Sequence, residues 1–169
     1  MGIYIAFLRS VNVGGTGKLP MSDLARMCRD IGFHDVQTYI ASGNVIFATE
    51  MTPEGARVSL EARLYEYCGK SIRVHIRTPE ELSQIIANNP FPDAAGNQLG
   101  VLLLDGAPDL SAPLVGKQDE HVAAGSREVY AHYPSGMGRS KLVLPGSTTG
   151  TTRNMNTLIK VLNLACKLA

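Results

Sequence analysis

Short apolar runs and helical apolar stripes alternate along the first half of the chain. Four apolar, β-branched-rich runs predict strands: 3–9, 36–40, 44–49 and 72–77. Two stretches with apolar residues every three or four positions predict helices at 21–32 and 53–68, the second with Leu60, Leu64, Tyr67 and Cys68 on its apolar face. Thr52 is the predicted N-cap of the second helix and Gly69 its predicted end. The order β-α-β-β-α-β is that of the ferredoxin-like split unit. We therefore predict one antiparallel sheet in which strand 3–9 lies beside strand 44–49, with both helices on one face.

The second half has a weaker form of the same pattern. Thr78 and Glu81 form a capping box around Pro79, which predicts a linking helix. The other predicted elements are a strand at 99–104, a helical turn at 109–115, strands at 121–124 and 129–133, and a final helix with the stripe Leu158, Val161, Leu162, Ala165 and Leu168. The fold class is therefore α+β: a ferredoxin-like half at residues 1–78, then a related, incomplete β-α-β-β-α half at 79–169. We expect both to pack as one compact unit.

Composition predicts a folded protein of the cytoplasm. The 169 residues are 44% apolar and 18% charged, which is enough for a packed core and unlike a disordered chain. The sequence has no apolar run of about 18 residues, which predicts no membrane span, and its start has no charged leader, which predicts no signal peptide. The three cysteines, Cys28, Cys68 and Cys166, suit a reducing compartment. Because each falls on an apolar helical stripe, we predict that all three are reduced and mostly buried.

Charge is distributed unevenly, although the net charge is only +1. Residues 85–128 contain two basic and six acidic side chains, a net of −4, whereas residues 129–169 contain five basic and no acidic ones, a net of +5. The first 22 residues also lack acids and contain Arg9 and Lys18. The low total excludes a chain-wide nucleic-acid-binding polycation. The basic segments indicate either an anion-binding face or ordinary solvated surface charge.

Topology brings the polar loops of the first half to one edge of the predicted sheet. These residues are Arg9, Ser10, Asn12, Gly14 and Gly15 after the first strand, Ser42, Gly43 and Asn44 in the hairpin, and Lys70 and Ser71 before the last strand. The edge also faces the start of the first helix, whose free N–H groups attract anions. Alternatively, the glycines and asparagines only permit tight turns.

Established catalytic and metal-binding motifs do not fit. Gly14–Lys18 is similar to a phosphate loop, but a Walker motif needs glycine in place of Asn12 and Ser or Thr in place of Leu19. The four histidines lack i+4 pairing and neighbouring cysteines, so no metal site is predicted. No G-x-S-x-G elbow occurs. The sequence thus assigns no catalytic residue, metal or cofactor, and leaves a looser anion-binding loop open.

The segment Thr151-Thr152-Arg153-Asn154 precedes the final predicted helix. Threonine is a good N-cap, which predicts that this segment begins the helix. Arg153 would then lie in the first turn, where the helix dipole disfavours a cation. A bound anion and a carboxylate elsewhere in the chain would each explain its presence.

Several motifs together resemble one known family. They are Leu8-Arg9-Ser10-Val11-Asn12-Val13-Gly14-Gly15, Pro20-Met21, Thr38-Tyr39-Ile40-Ala41-Ser42-Gly43-Asn44-Val45, Asn89-Pro90-Phe91 and Thr151-Thr152-Arg153-Asn154-Met155-Asn156-Thr157. In this order they resemble the bacterial domain-of-unknown-function family 1697 over nearly the whole chain. Ser10 and Val11 replace that family's usual glycine and isoleucine, and Met155 stands where it often has tryptophan. The resemblance implies a compact α+β fold with ferredoxin-like halves, and no particular activity.

The best-supported functional hypothesis is a cytoplasmic protein that binds an anionic ligand, a phosphate-bearing nucleotide or nucleic acid. The candidate ligand-binding residues are Arg9, Asn12, Gly14, Gly15, Lys18, Ser42, Gly43, Asn44, Thr152, Arg153 and Asn154. The cations would supply charge, the asparagines and serine hydrogen bonds, and the glycines close approach to the backbone. Segments 10–18, 42–44 and 151–154 are therefore expected to lie together.

Two alternatives stay open. The first is an enzyme acting on a small phosphorylated or carboxylate substrate, whose general base near neutral pH would have to be a histidine. The second is an interaction module or homodimer, in which exposed sheet edges pair two copies.

Overall fold

Two units divide the chain. The computed structural model describes residues 1–14 and 17–169. The first unit consists of Met1–Glu81 together with Val161–Ala169, and the second consists of Leu82–Lys160. The sequence-based division after residue 78, and the packing of both halves as one body, stay predictions. Among the described residues, no helix combines the length and the apolarity that crossing a membrane requires.

The described residues of Met1–Glu81, the larger part of the first unit, contain a four-stranded antiparallel sheet and two complete helices. Its elements are β1 (Gly2–Leu8), α1 (Met21–Asp30), β2 (His34–Tyr39), β3 (Asn44–Thr49), α2 (Pro53–Cys68) and β4 (Val74–Arg77). The sheet order is β2-β3-β1-β4. β1 pairs antiparallel with β3, where Ala6 and Val45 are register partners, and with β4 on its other side. The predicted central position of β1 beside β3 is confirmed.

Both helices cover one face of this sheet. One buried cluster joins strand and helix side chains: Ala6, Leu8, Val45, Phe47 and Val74 from the sheet, Leu24, Met27 and Cys28 from α1, and Ala56, Leu60 and Leu64 from α2. Phe33 stacks on Phe47 with ring centroids 4.0 Å apart. Full burial of each large apolar side chain contributes about 1.5–3 kcal/mol. The prediction that both helices lie on a single face is confirmed.

The second unit, all of which the structure describes, forms another four-stranded antiparallel sheet. Its strands are β5 (Leu99–Leu103), β6 (His121–Ala124), β7 (Glu128–His132) and β8 (Thr151–Asn154), preceded in the chain by α3 (Pro79–Ala87) and followed by α4 (Met155–Cys166). The sheet order β6-β7-β5-β8 is the order of the first sheet with each strand moved on by four. The α+β class is therefore confirmed, and the two sheets share one strand order.

Several helices use the capping residues that the sequence predicts. The Thr52 hydroxyl accepts a hydrogen bond from the Gly55 N–H at 3.0 Å at the start of α2. Gly69 ends that helix with φ +71°, a left-handed conformation that glycine adopts without strain. At α3, the Glu81 N–H donates to the Thr78 hydroxyl at 3.1 Å, and the Thr78 N–H donates to the Glu81 carboxylate at 3.3 Å. The predicted capping box is confirmed.

The predicted helical turn at 109–115 is wrong. These residues form no helix, and the described chain runs irregularly from β5 to β6. Pro113 lacks the N–H group that would close a helical turn on Asp109, and it restricts Ala112 to extended backbone.

The assignment of 151–154 to a helix start is also wrong. These residues form strand β8, in which Arg153 is the register partner of Val101 on β5. Threonine is β-branched and favours extended backbone, which suits it to this polar strand. The cap of α4 is instead Asn154, whose Oδ1 accepts a hydrogen bond from the Thr157 N–H at 2.9 Å. Arg153 therefore lies outside the first helical turn.

The three cysteines are free but differ in burial. Cys28 is buried, Cys68 is half-buried and Cys166 is exposed. The burial prediction is thus confirmed for Cys28 and wrong for Cys166. Cys166 is the last residue of α4 and follows the buried Ala165. Because consecutive side chains on a helix point in different directions, Cys166 lies outside the apolar stripe.

Candidate functional site

Asn12 fixes the loop that follows β1. Its Nδ2 donates to the carbonyl oxygens of Leu19 (2.9 Å) and Ala41 (2.7 Å), and its Oδ1 accepts from the Leu19 N–H at 2.6 Å. Asn12 has a φ of +54°, a left-handed conformation that asparagine tolerates better than most residues. The side chain therefore closes the loop on itself and ties it to the hairpin between β2 and β3.

The hairpin turn is held by Asn44 and Gly43. Asn44 is fully buried, and its Nδ2 donates to the Tyr39 carbonyl at 2.9 Å and to the Ser42 hydroxyl at 3.0 Å. Gly43 has a φ of +89°, and a Cβ there would lie 2.7 Å from a methyl group of Val11. These contacts give both residues a structural role in the turn, since only glycine fits at position 43.

A polar cavity of about 230 Å³ lies between this loop and the junction of α2 with β4. Its lining includes Ser10, Lys18 and Lys70, and both lysines are exposed. Ser10, like Asn12, has left-handed backbone, with φ +55°. No carboxylate is among the described residues that line this cavity. Two cations and a hydroxyl around a small concave space favour an anion.

Tyr67 lines the same cavity and also contacts the first turn of α1. Its hydroxyl donates to Asp23 Oδ2 at 2.6 Å, and this hydrogen bond raises the pKa of Tyr67 above its ordinary value. Asp23 also forms an ion pair with Arg26, with Nη1 and Oδ1 3.3 Å apart. The phenol therefore stays neutral near pH 7, while the Asp23 carboxylate is held by Tyr67 and Arg26.

A larger cavity of about 610 Å³ adjoins the same loop. Its described lining consists of Asn12, Val13, Gly14, Gly17, Lys18, Leu19, Pro20, Met21 and Ala41. Four of these residues, Asn12, Gly17, Lys18 and Leu19, also line the smaller cavity. The volume lies within the range of about 300–1,000 Å³ that is typical of small-molecule sites, and most of the side chains are apolar.

The first unit holds most of the sequence-predicted site residues at this edge. Asn12, Gly14 and Lys18 line one or both cavities, and 42–44 forms the neighbouring turn. Arg9 is half-buried just beyond β1, and its backbone N–H donates to the Arg73 carbonyl at 2.9 Å. Gly15 lies outside the described residues.

The remaining predicted residues, Thr152, Arg153 and Asn154, belong to β8 of the second unit. Arg153 is only 6% exposed, and its Nη1 donates to the Thr151 hydroxyl at 2.7 Å and to the Thr152 carbonyl at 2.9 Å. Burial lowers the pKa of Arg153 to about 10, which still leaves the side chain charged at neutral pH. The expectation that this segment lies beside 10–18 and 42–44 stays a prediction.

Sequence reasoning placed Lys70 at this edge but gave it no role, and it did not identify the apolar cavity. Pro20 and Met21 lie in the lining of that cavity and form part of the family resemblance. Within residues 1–14 and 17–169, no three His, Cys, Asp or Glu side chains group closely enough to hold a metal ion.

The fold is similar to that of a solved structure, described as "The structure of conserved bacterial protein SP0830 from Streptococcus pneumoniae". The TM-score is 0.78 at 20% sequence identity, and the match covers 98% of both chains. At that identity the likeness concerns the fold alone. None of the curated proteins compared with the sequence matches it. The family model "Protein of unknown function (DUF1697)" matches residues 1–130, and the chain therefore belongs to the DUF1697 family.

Proposed function

We propose that this protein binds an anionic ligand, a phosphate-bearing nucleotide or nucleic acid, at the edge formed by loop 10–18 and the hairpin turn. Lys18 and Lys70 contact the phosphate in the smaller cavity, and Ser10 donates a hydrogen bond to it. Asn12 positions the loop, because the hydrogen bonds between its side-chain amide and the backbone of Leu19 and Ala41 hold the loop's shape.

The observation that carries this proposal is the pair of lysines on one small cavity whose described lining contains no carboxylate. A hydrogen bond to a charged group contributes about 1.5–3 kcal/mol, so two lysines supply about 3–6 kcal/mol. Part of this offsets the lost freedom of the ligand. Inorganic phosphate is therefore expected to bind with a Kd on the order of 1 mM.

We make two further proposals, one about the fold of the first unit and one about the location of the protein. We infer that the first sheet with α1 and α2 is a ferredoxin-like unit, on the basis of its element order and its strand order β2-β3-β1-β4. A cytoplasmic location remains part of the proposal. So does a contribution of Thr152, Arg153 and Asn154 to the same site.

Thermal unfolding with and without inorganic phosphate tests the proposal. At ten times a Kd of about 1 mM, phosphate stabilises the folded state by about 1.4 kcal/mol, which raises Tm by about 3–6 °C. Sodium chloride at equal ionic strength is the reference. Lys18→Gln and Lys70→Gln each reduce this shift to about 1 °C, because either change weakens binding about tenfold.

Lys167→Gln is the matched control. Lys167 is exposed in the first unit and lines neither cavity. This variant is expected to keep the full phosphate shift. An equal shift in Lys70→Gln and Lys167→Gln, or no shift in the unsubstituted protein, would contradict the proposal.

A further inference from the structure

We propose that the ligand is a small phosphate ester with an apolar group, its phosphate between Lys18 and Lys70 and its apolar group in the larger cavity. This inference rests on the proposed function and adds the chemical class of the ligand. It excludes a bare inorganic anion and an extended nucleic-acid strand as the preferred occupant.

The two cavities share a wall. Lys18 lines both of them, and so do its neighbours Gly17 and Leu19. A ligand whose phosphate meets Lys18 can therefore extend past the same residue into the larger space. The volumes of about 230 Å³ and 610 Å³ are unequal, and the smaller one carries the second lysine. This asymmetry fits a compact charged group joined to a bulkier uncharged one.

The larger cavity is lined mostly by apolar side chains. Val13, Pro20, Met21 and Ala41 present apolar side chains to it, and Lys18 is the one charged side chain among its described lining residues. Val13 remains 52% exposed, so apolar surface is available to a ligand. Burying about 60 Å² of apolar surface is enough for a tenfold gain in affinity.

The described lining of the larger cavity favours a small ester over a nucleic-acid strand. Non-specific binding of single strands uses aromatic platforms and a basic track along several nucleotides. The described lining of the larger cavity contains no aromatic side chain, and the cations of the site are confined to the smaller cavity and its wall. A pocket of this kind encloses one apolar group rather than a run of stacked bases.

Calorimetric titration of the full chain with four probes tests this inference: inorganic phosphate, phenyl phosphate, adenosine monophosphate and a thymidine oligonucleotide. We expect phenyl phosphate and adenosine monophosphate to bind at least tenfold more tightly than inorganic phosphate. Ala41→Phe fills the larger cavity and is expected to abolish this gain, so that the two esters bind this variant no more tightly than inorganic phosphate does. Ala41→Leu is the milder variant if the phenylalanine prevents folding.

Ala62→Phe is the control, because Ala62 is exposed on α2, lines neither cavity and undergoes the same change. It is expected to keep the tenfold preference for the esters. Equal affinity for phosphate and both esters overturns this inference and leaves the proposed function intact. Tighter binding of the oligonucleotide, per phosphate, than of either ester also overturns it, in favour of a nucleic-acid ligand. No binding of any probe overturns the proposed function as well.

Discussion

Removal of the Asn12 side chain is the most informative perturbation of this fold. Asn12→Gly deletes three hydrogen bonds, two to Leu19 and one to Ala41, while glycine accepts the φ of +54° without strain. Each hydrogen bond contributes about 0.5–1.5 kcal/mol, and these are partly exposed, so about 2 kcal/mol is lost in total. For a chain of this size, that lowers Tm by about 4–8 °C. Asn12→Ala adds a left-handed alanine, which costs about 1 kcal/mol more.

The assay is urea unfolding followed by far-UV circular dichroism, together with amide hydrogen exchange at Leu19. The Leu19 N–H donates to Asn12 Oδ1, so its exchange accelerates in both variants. Asn97→Gly is the control, because it makes the same change at an exposed 3₁₀ turn without touching these bonds. If the free energy of unfolding of Asn12→Gly lies within about 0.5 kcal/mol of that of the unsubstituted protein, Asn12 does not hold the loop. Unchanged amide exchange at Leu19 would lead to the same conclusion.

Three further predictions concern single residues. Gly43→Ala combines left-handed backbone with a Cβ contact at 2.7 Å and is expected to cost about 3 kcal/mol in urea unfolding, whereas Gly69→Ala, also left-handed but with open space around it, costs about 1 kcal/mol. Native thiol labelling at pH 8 is expected to modify Cys166 within minutes and to spare Cys28, because burial raises the pKa of the Cys28 thiol to about 12; equal rates would contradict this. The Ser140 hydroxyl donates a hydrogen bond to the Glu120 carboxylate and lowers the pKa of Glu120. The stabilisation by this carboxylate is therefore present above the ordinary carboxyl pKa and is lost as pH falls through the lowered value. Glu120→Gln should therefore flatten the loss of stability below about pH 5, and an unchanged acid profile would refute this.

The elements of the first sheet could be predicted because local signals agreed there. Thr52 and Gly69 marked the ends of α2, and on its predicted apolar face Leu60 and Leu64 are buried, whereas Cys68 is half-buried and Tyr67 is exposed. Strand β8 could not be predicted in the same way. Its two threonines favour extended backbone, but they are also good helix caps, and pairing with β5 decides between the two.

The sequence predicts the position of the candidate site but not the role of each residue in it. Topology brought loop 10–18 and the hairpin together, and the structure joins them through Asn12 and Ala41. The roles of the asparagines could not be predicted, because the sequence does not distinguish an asparagine whose amide binds a ligand from one whose amide stabilises a turn. The apolar cavity depends on how α1 starts beside the hairpin, which Pro20 and Met21 alone do not specify.

The most direct test of the central claim is a residue-resolved NMR titration with inorganic phosphate at constant ionic strength. Saturable shifts are expected for the backbone amides of Ser10, Lys18 and Lys70, with a common Kd on the order of 1 mM. These shifts are expected to disappear in the Lys18→Gln/Lys70→Gln double variant while the remaining spectrum is retained. Shifts centred on β8 alone, or no saturable shifts at these three residues, would contradict the proposed phosphate site.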